Sequence, residues 1–214
     1  MAEPIKNRLR PWQTGGLQGA DEAAWAVSAT VSGLVGSVEL GTGRDPLSTR
    51  RAVRVNGAAA SGQSALADHV SIVWLTPQMD RLFLEGAAAR RRFLDRLVFG
   101  FDSTHAGRIS AYEHAMRERL RLLKIGRWDD SWLSALEETM AGCGIAIAAA
   151  RRDMAGRLAR ACADASGPFP AAGIAATGQI EGWLEVGPAL AAEDRLRQFL
   201  VERRAEDAAT GRTG

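Results

Sequence analysis

The first third of the chain alternates apolar and polar residues with a period of two. The alternation occupies residues 25–31, 38–40 and 53–55, with an interruption at residues 41–46, and this period is typical of strands with one buried face. Asn56-Gly57 follows directly, and this dipeptide favours the positive φ angles of a two-residue hairpin turn. We therefore predict an antiparallel meander of three or four short strands.

A continuous apolar run, VSIVWL, occupies residues 70–75. A run without alternation is typical of a strand that is buried on both faces. It follows a short helix that is predicted from Ser61 to about Asp68, and Thr76-Pro77 ends it. Within this run we expect Trp74 to be part of the core.

The remainder of the chain has the three-and-four spacing of amphipathic helices. We predict helices over about 87–99, 104–126, 130–165 and 191–209. The third helix has a heptad-like seam, which predicts packing against a partner helix, either in this chain or in a second one. The seam residues are Leu133, Leu136, Met140, Cys143, Ile147, Ala150 and Met154.

These patterns predict an α+β fold in two parts, a β-rich part over residues 23–86 and a helical lobe over 87–209. Residues 1–22 read as a poorly defined N-terminal segment and 210–214 as a loop-like end. The chain has 214 residues, 46% of them hydrophobic and 24% charged, which is ordinary for a globular protein of one or two domains. The net charge of +2 excludes a chain that coats nucleic acid as a uniform polycation.

The usual enzyme signatures are absent from the sequence. The two lysines, Lys6 and Lys124, are not followed by Ser or Thr, as a phosphate-binding P-loop requires. His69, His105 and His114 lack metal-site spacing, so each is expected at the surface or at a helix cap. The chain has two cysteines, and we expect both thiols to be reduced. It has no signal peptide and no apolar segment near the ~20 residues of a membrane span, which favours a cytoplasmic protein without membrane contact.

Positive charge is concentrated in one helical region, residues 90–124, where nine cations face four anions for a local excess of five. The arginines Arg90, Arg91 and Arg92 spread over about 200° of a helix, so at least one of them faces water or an anionic partner. Arginine is well suited to binding phosphate. The alternative is a solvated helix face with ion pairs such as Glu113–Arg117, or arginines paired with nearby carboxylates such as Asp95.

Four segments in this region resemble the RecF family of recombination mediators. They are residues 71–77 (SIVWLTP), 79–86 (MDRLFLEG), 90–96 (RRRFLDR) and 109–124 (ISAYEHAMRERLRLLK). A looser similarity extends from about residue 25 to about 211. The resemblance implies the meander of an ABC/SMC-like ATPase head followed by a helical lobe. It also implies binding of ATP and Mg, ATP-dependent dimerisation, mediator partner proteins, and binding of single-stranded and gapped DNA during repair and the SOS response.

The resemblance also implies roles for particular residues. The DNA-binding set would be Arg90, Arg91, Arg92, Arg96, Arg117 and Arg121. Gln78 stands near the position of a metal-sensing Gln in ABC heads, although the family usually has an acidic residue there, and Ala88 lies near a usual Pro. The chain would begin after the family's Walker A loop and end before its signature and Walker B motifs, so we expect no ATP hydrolysis by this chain alone. The alternative function is a non-catalytic helical interaction or dimerisation module.

Overall fold

The computed structural model describes residues 10–11, 25–33, 36–44, 50–72, 76–126, 129–165, 167–168 and 170–213. Its contacts divide the chain into two compact units, Met1–Trp74 and Leu75–Gly214. The first unit is a five-stranded antiparallel sheet in the order β1-β2-β3-β4-β5. The strands are β1 Arg10–Pro11, β2 Trp25–Gly33, β3 Gly36–Arg44, β4 Arg51–Val55 and β5 Ala58–Ala59.

The predicted meander and its hairpin turn are present, but the described sheet has five strands instead of three or four, and β2 and β3 are nine residues long. Asn56 and Gly57 have φ angles of 50° and 80°, and the Asn56 side chain accepts a hydrogen bond of 2.9 Å from the backbone N–H of Glu39. The predicted interruption at residues 41–46 is wrong for residues 41–44, because β3 continues to Arg44, and residues 45–46 lie outside the described part of the chain. Gly43 allows this continuation, since a Cβ at that position would lie 2.7 Å from the carbonyl oxygen of Trp25 on β2. Strand β1 lies inside the segment that was expected to be poorly defined.

The expectation of a doubly buried strand at residues 70–75 is not met where the structure describes them. Residues 70–72 follow α1 (Ser64–Ala67) outside any strand, and Ile72 is 66% exposed. Trp74 and its expected core position lie outside the described residues. A strand buried on both faces needs a sheet around it, and the described sheet pairs none of its strands with residues 70–72.

Among its described residues, the second unit has a 3₁₀ turn at Pro77–Arg81 and six helices. Helices α2 to α4 confirm the predicted bounds to within about two residues, and Gly126, with φ of 72°, ends α3. The Asp129 side chain caps α4 by accepting from the backbone N–H of Ser131 at 2.8 Å. The helices are α2 Ala87–Phe99, α3 His105–Ile125, α4 Asp130–Ala163, α5 Gln179–Val186, α6 Ala189–Glu202 and α7 Arg204–Thr210.

Helix α4 is the centre of this unit and packs against α2, α3, α5 and α6. The seam residues Leu133, Met140, Ile147 and Met154 are all buried at 5% exposure or less. At Gly144 on α4, a Cβ would lie 3.1 Å from Leu196 of α6, which shows how closely the two helices approach. The chain's own helices therefore cover these four seam residues, whereas Leu136, Cys143 and Ala150 are only partly buried.

The C-terminal part differs from the single predicted helix over 191–209. The helix is divided at Arg203, which separates α6 from α7. Helix α5 was not predicted, because Gly178, Gly182 and Gly187 interrupt its pattern. Its apolar residues Ile180, Trp183 and Leu184 nevertheless have helical spacing and pack on the core of α4 and α6.

By length and composition alone, α4 meets the test for a membrane span. It is the one such helix among the described residues. Its buried residues are in contact with α3 and α6 of the same unit. The core helix of a soluble protein meets the same test.

The division after residue 74 precedes the boundary at 86/87 that the sequence suggested. The intervening residues 76–86 lie against the helical unit, because Met79 and Leu82 share a groove with Ala89 and Phe93 of α2. The assignment of residues 23–86 and 87–209 to two functional lobes remains a prediction.

Candidate nucleic-acid interface

The triple arginine occupies the first half of α2 with all three side chains exposed. The helix divides the cluster between two depressions of the surface. Arg90 and Arg91 border a cavity of about 820 Å³, whereas Arg92 and Arg96 border a groove of about 200 Å³. The four predicted DNA-binding arginines of α2 therefore form two pairs on different sides of the helix rather than one row.

The partners of these arginines differ. Arg90 Nη1 donates a 2.7 Å hydrogen bond to the backbone oxygen of Glu85, which ties the turn before α2 to the helix. Arg91 and Arg92 make no hydrogen bond or ion pair with any residue that the structure describes. Their guanidinium groups are therefore available to an anion, as the sequence predicted for at least one of the three.

Asp95 is not the partner of these arginines. Its carboxylate accepts two 2.7 Å hydrogen bonds from Arg151 of α4 and one of 2.9 Å from His105 Nε2 of α3. Burial opposes the charged form of this carboxyl, but the hydrogen bonds from Arg151 and His105 outweigh it and lower its pKa. The alternative in which Asp95 pairs with Arg91 or Arg92 is not observed, because a bidentate partner from another helix occupies the carboxylate.

His105 also differs from its prediction. It is fully buried where α3 begins, not at the surface, and its Nε2 faces Asp95. Its Nδ1 has no hydrogen-bond partner in the described structure. The imidazole therefore joins α2 to α3 inside the unit, where it cannot contact a ligand in solvent.

Arg119 is one of the nine cations counted between residues 90 and 124, and it is completely buried. Its guanidinium donates to Glu137 at 2.9 Å, to Asp207 at 2.6 Å and to the backbone oxygen of Leu200 at 2.5 Å. A longer bond of 3.3 Å reaches Thr213. This cluster joins α3, α4, α6 and α7, and it leaves the surface with one positive charge fewer than the count over residues 90–124 gives.

A signal for Arg119 was present in the sequence. Tyr112, Met116, Arg119 and Leu123 follow steps of four, three and four, so the apolar face of α3 includes an arginine. A cation on a buried face requires anionic partners. Glu137 and Asp207, which supply them, lie 18 and 88 residues further along the chain.

The remaining predicted DNA-binding arginines, Arg117 and Arg121, are exposed on α3 but are paired locally. Arg117 lies 4.0 Å from Glu113, which is the ion pair considered in the alternative interpretation. Arg121 donates two hydrogen bonds, of 2.8 and 3.0 Å, to Glu118, and these lower the pKa of that carboxyl. The α3 face therefore has less positive charge to offer than α2.

The structure does not describe the side chain of Gln78, so its suggested role as a metal sensor lies outside the described residues. Within the described parts of the chain, no group of three or more His, Cys, Asp and Glu residues is arranged to hold a metal ion.

No protein-family model matches this chain. It is 45% identical to the DNA replication and repair protein RecF of Rhizobium rhizogenes over 193 residues. The aligned region covers 88% of this chain and 51% of that protein. RecF of Mesorhizobium japonicum is 43% identical over 211 residues, 96% of this chain and 55% of that protein. The chain thus spans about half the length of these curated relatives.

Solved structures of RecF have the same fold. The recombination mediator protein RecF-ATPrS of the RecFOR pathway superposes with a TM-score of 0.78 at 18% identity, covering 91% of this chain and 53% of that chain. RecF-ATP of the same pathway gives a TM-score of 0.71 at 16% identity. The predicted α+β class, an antiparallel meander followed by a mainly helical part as in RecF, is confirmed. This chain is a relative of the RecF family of DNA replication and repair proteins, which it matches over about half of their length.

Proposed function

We propose that this chain acts in DNA replication and repair as RecF does, and that it contacts DNA phosphates through the arginines of α2. The observation that carries the proposal is the exposure of Arg91 and Arg92 without a hydrogen-bonding or ion-pair partner among the described residues. Arg90 and Arg96 are exposed beside them and complete the proposed contact set. Arg117 and Arg121 would join only where phosphate competes with their local carboxylates.

Phosphate contacts have a measurable electrostatic signature. Each phosphate that a protein neutralises releases counterions, so the logarithm of affinity falls with the logarithm of salt concentration, with a slope of about −0.9 per contact for duplex DNA and about −0.7 for single strands. A guanidinium that is already paired with a carboxylate contributes less, because the carboxylate repels the phosphate. We therefore expect Arg91 and Arg92 to contribute more to DNA binding than Arg117 and Arg121.

The finer functions of RecF relatives are part of the same proposal. They are binding of single-stranded DNA and gapped junctions, homodimerisation, recombination-mediator partners, a part in the SOS response and a cytoplasmic location. Support comes from the sequence similarity to RecF proteins and from their description as recombination mediators of the RecFOR pathway.

Binding of ATP and Mg is a separate part of the proposal. Neither lysine precedes Ser or Thr, and the described residues contain no cluster suited to a metal. The solved relatives named RecF-ATPrS and RecF-ATP support nucleotide binding by RecF proteins. We assign no step of ATP hydrolysis to the residues of this chain.

The proposal is tested by fluorescence anisotropy with a labelled gapped duplex, measured at several salt concentrations between about 50 and 200 mM. Arg91→Gln and Arg92→Gln should each weaken binding and reduce the magnitude of the salt slope by about 0.7 to 0.9. Arg160→Gln, which removes an exposed arginine near the end of α4, is the matched control. If the α2 variants retain the affinity and slope of this control, the α2 arginines do not bind DNA.

A further inference from the structure

An aromatic side chain projects into solvent immediately before the arginine cluster. Phe83 is 79% exposed, in the turn between the 3₁₀ residues Pro77–Arg81 and α2. Its neighbour Leu84 is 82% exposed, so the turn presents one aromatic and one aliphatic side chain of similar exposure. Single exposed apolar residues are common on proteins, and the significance of Phe83 lies in its surroundings.

The turn that carries Phe83 is fixed to the cationic helix. The backbone N–H groups of Leu84 and Glu85 donate to the carbonyl of Arg81 at 2.9 and 3.0 Å. Arg90 of α2 donates a hydrogen bond of 2.7 Å to the backbone carbonyl of Glu85, at the end of this turn. Phe83 lines the same cavity of about 820 Å³ as Arg90 and Arg91, so the aromatic residue and the two arginines border one depression of the surface.

The ring of Phe83 is also uncovered. Two other exposed aromatics have a guanidinium over the ring, Arg51 over Trp25 at 4.8 Å and Arg157 over Phe101 at 5.4 Å. Among the residues that the structure describes, Phe83 has no ring or cation contact of this kind. Its π face is therefore accessible to a ligand.

We propose that Phe83 is a stacking residue for an unpaired DNA base whose neighbouring phosphates contact Arg90 and Arg91. The inference rests on the proposed function and deepens it, because it assigns one residue to the recognition of unpaired bases. An aromatic ring beside a cationic surface is the arrangement that sequence-independent binding of single strands requires. In a duplex the base faces are stacked on each other, so Phe83 has little to bind there.

Equilibrium binding of Phe83→Ala to a single-stranded oligonucleotide and to a duplex of the same length tests this assignment. We expect Phe83→Ala to bind the single strand about 5-fold more weakly and the duplex less than about 2-fold more weakly. A 5-fold loss corresponds to about 1 kcal/mol, the lower end of the range for one stacked base. Phe83→Trp should retain single-strand affinity, and its added fluorescence, relative to wild type, should be quenched by the single strand. Leu84→Ala and Phe101→Ala are the matched controls, and both should bind as the wild type does.

The stacking assignment is overturned if Phe83→Ala loses the same affinity for single strand and duplex. It is also overturned if Phe83→Ala binds as the two controls do. Circular dichroism checks that each variant is folded, which is expected for a residue with this exposure. The outcome is separable from that of the phosphate proposal. If Arg91→Gln weakens binding to both DNAs and Phe83→Ala to neither, only the stacking role fails. If the wild type binds neither DNA, the proposed function fails, and the stacking role fails with it.

Discussion

Replacing Arg119 with Met removes a buried guanidinium that has two carboxylate partners. Arg204 still binds Glu137 at 2.6 Å, so one carboxylate keeps a cation. Asp207, at 1% exposure, loses its 2.6 Å ion pair. Removing one partner of a buried pair typically costs about 3–5 kcal/mol, because the remaining charge is buried without compensation. We therefore expect Arg119→Met to lower the free energy of unfolding by that amount.

Urea denaturation followed by circular dichroism measures this change. With a slope of about 2 kcal/mol per molar urea, a loss of about 3 kcal/mol shifts the midpoint by about 1.5 M. Arg121→Met removes a half-exposed arginine two positions along the same helix, whose ion-pair partner among the described residues is Glu118. Such an exposed pair is worth about 1 kcal/mol or less, so this control should shift the midpoint much less.

A second variant separates the loss of charge balance from the loss of volume. Arg119→Met combined with Asp207→Leu removes the stranded carboxylate, and replacing a buried ion pair by apolar residues is often close to neutral. We expect this double variant to recover much of the stability that Arg119→Met loses. The reasoning is refuted if Arg119→Met is no less stable than Arg121→Met, or if removing Asp207 brings no recovery.

Two further predictions concern the sheet and the start of α3. Gly43→Ala should lower the free energy of unfolding, measured by urea denaturation, by about 1–3 kcal/mol, because its Cβ would lie 2.7 Å from a carbonyl oxygen of β2. Gly41→Ala is the control and should be tolerated, because the nearest atom to its Cβ would be 3.7 Å away. Equal effects of the two substitutions would contradict the steric argument. Hydrogen bonds from Thr104 and Arg108 lower the pKa of Asp102 to about 2 from 3.8. A depressed folded-state pKa gives stability that is present above about pH 4 and is lost as the pH falls towards 2. Asp102→Asn should flatten the stability profile in that window, and an unchanged profile would exclude this role for Asp102.

Much of the local structure was predictable because short-range chemistry determines it. The Asn56-Gly57 turn has the positive φ angles that its residue types favour, and α2 spans the Ala87–Phe99 range that its apolar spacing predicted. The missed helix α5 and the continuation of β3 through Gly43 are exceptions of one kind. In both, glycine weakens the local preference, and packing against neighbouring elements outweighs it.

For the candidate site, sequence located the arginines but not their environment. Counting charge treated Arg91 and Arg119 alike, although one is exposed and the other is fully buried. Helical spacing offered Asp95 as a partner for Arg91, but a local pair on a helix is worth only a few tenths of a kcal/mol. Arg151, 56 residues away, forms a partly buried bidentate pair with Asp95 instead.

The amino-acid sequence by itself determined where most helices and hairpins begin and end, that an arginine cluster lies on one helix, and that the chain resembles RecF. The tertiary structure alone decided which of those charges meet solvent and which are neutralised inside. Hydrophobic periodicity and turn propensity act between residues a few positions apart. The desolvation and pairing of Arg119 depend on carboxylates that only the packing of α3, α4 and α7 brings within hydrogen-bonding distance.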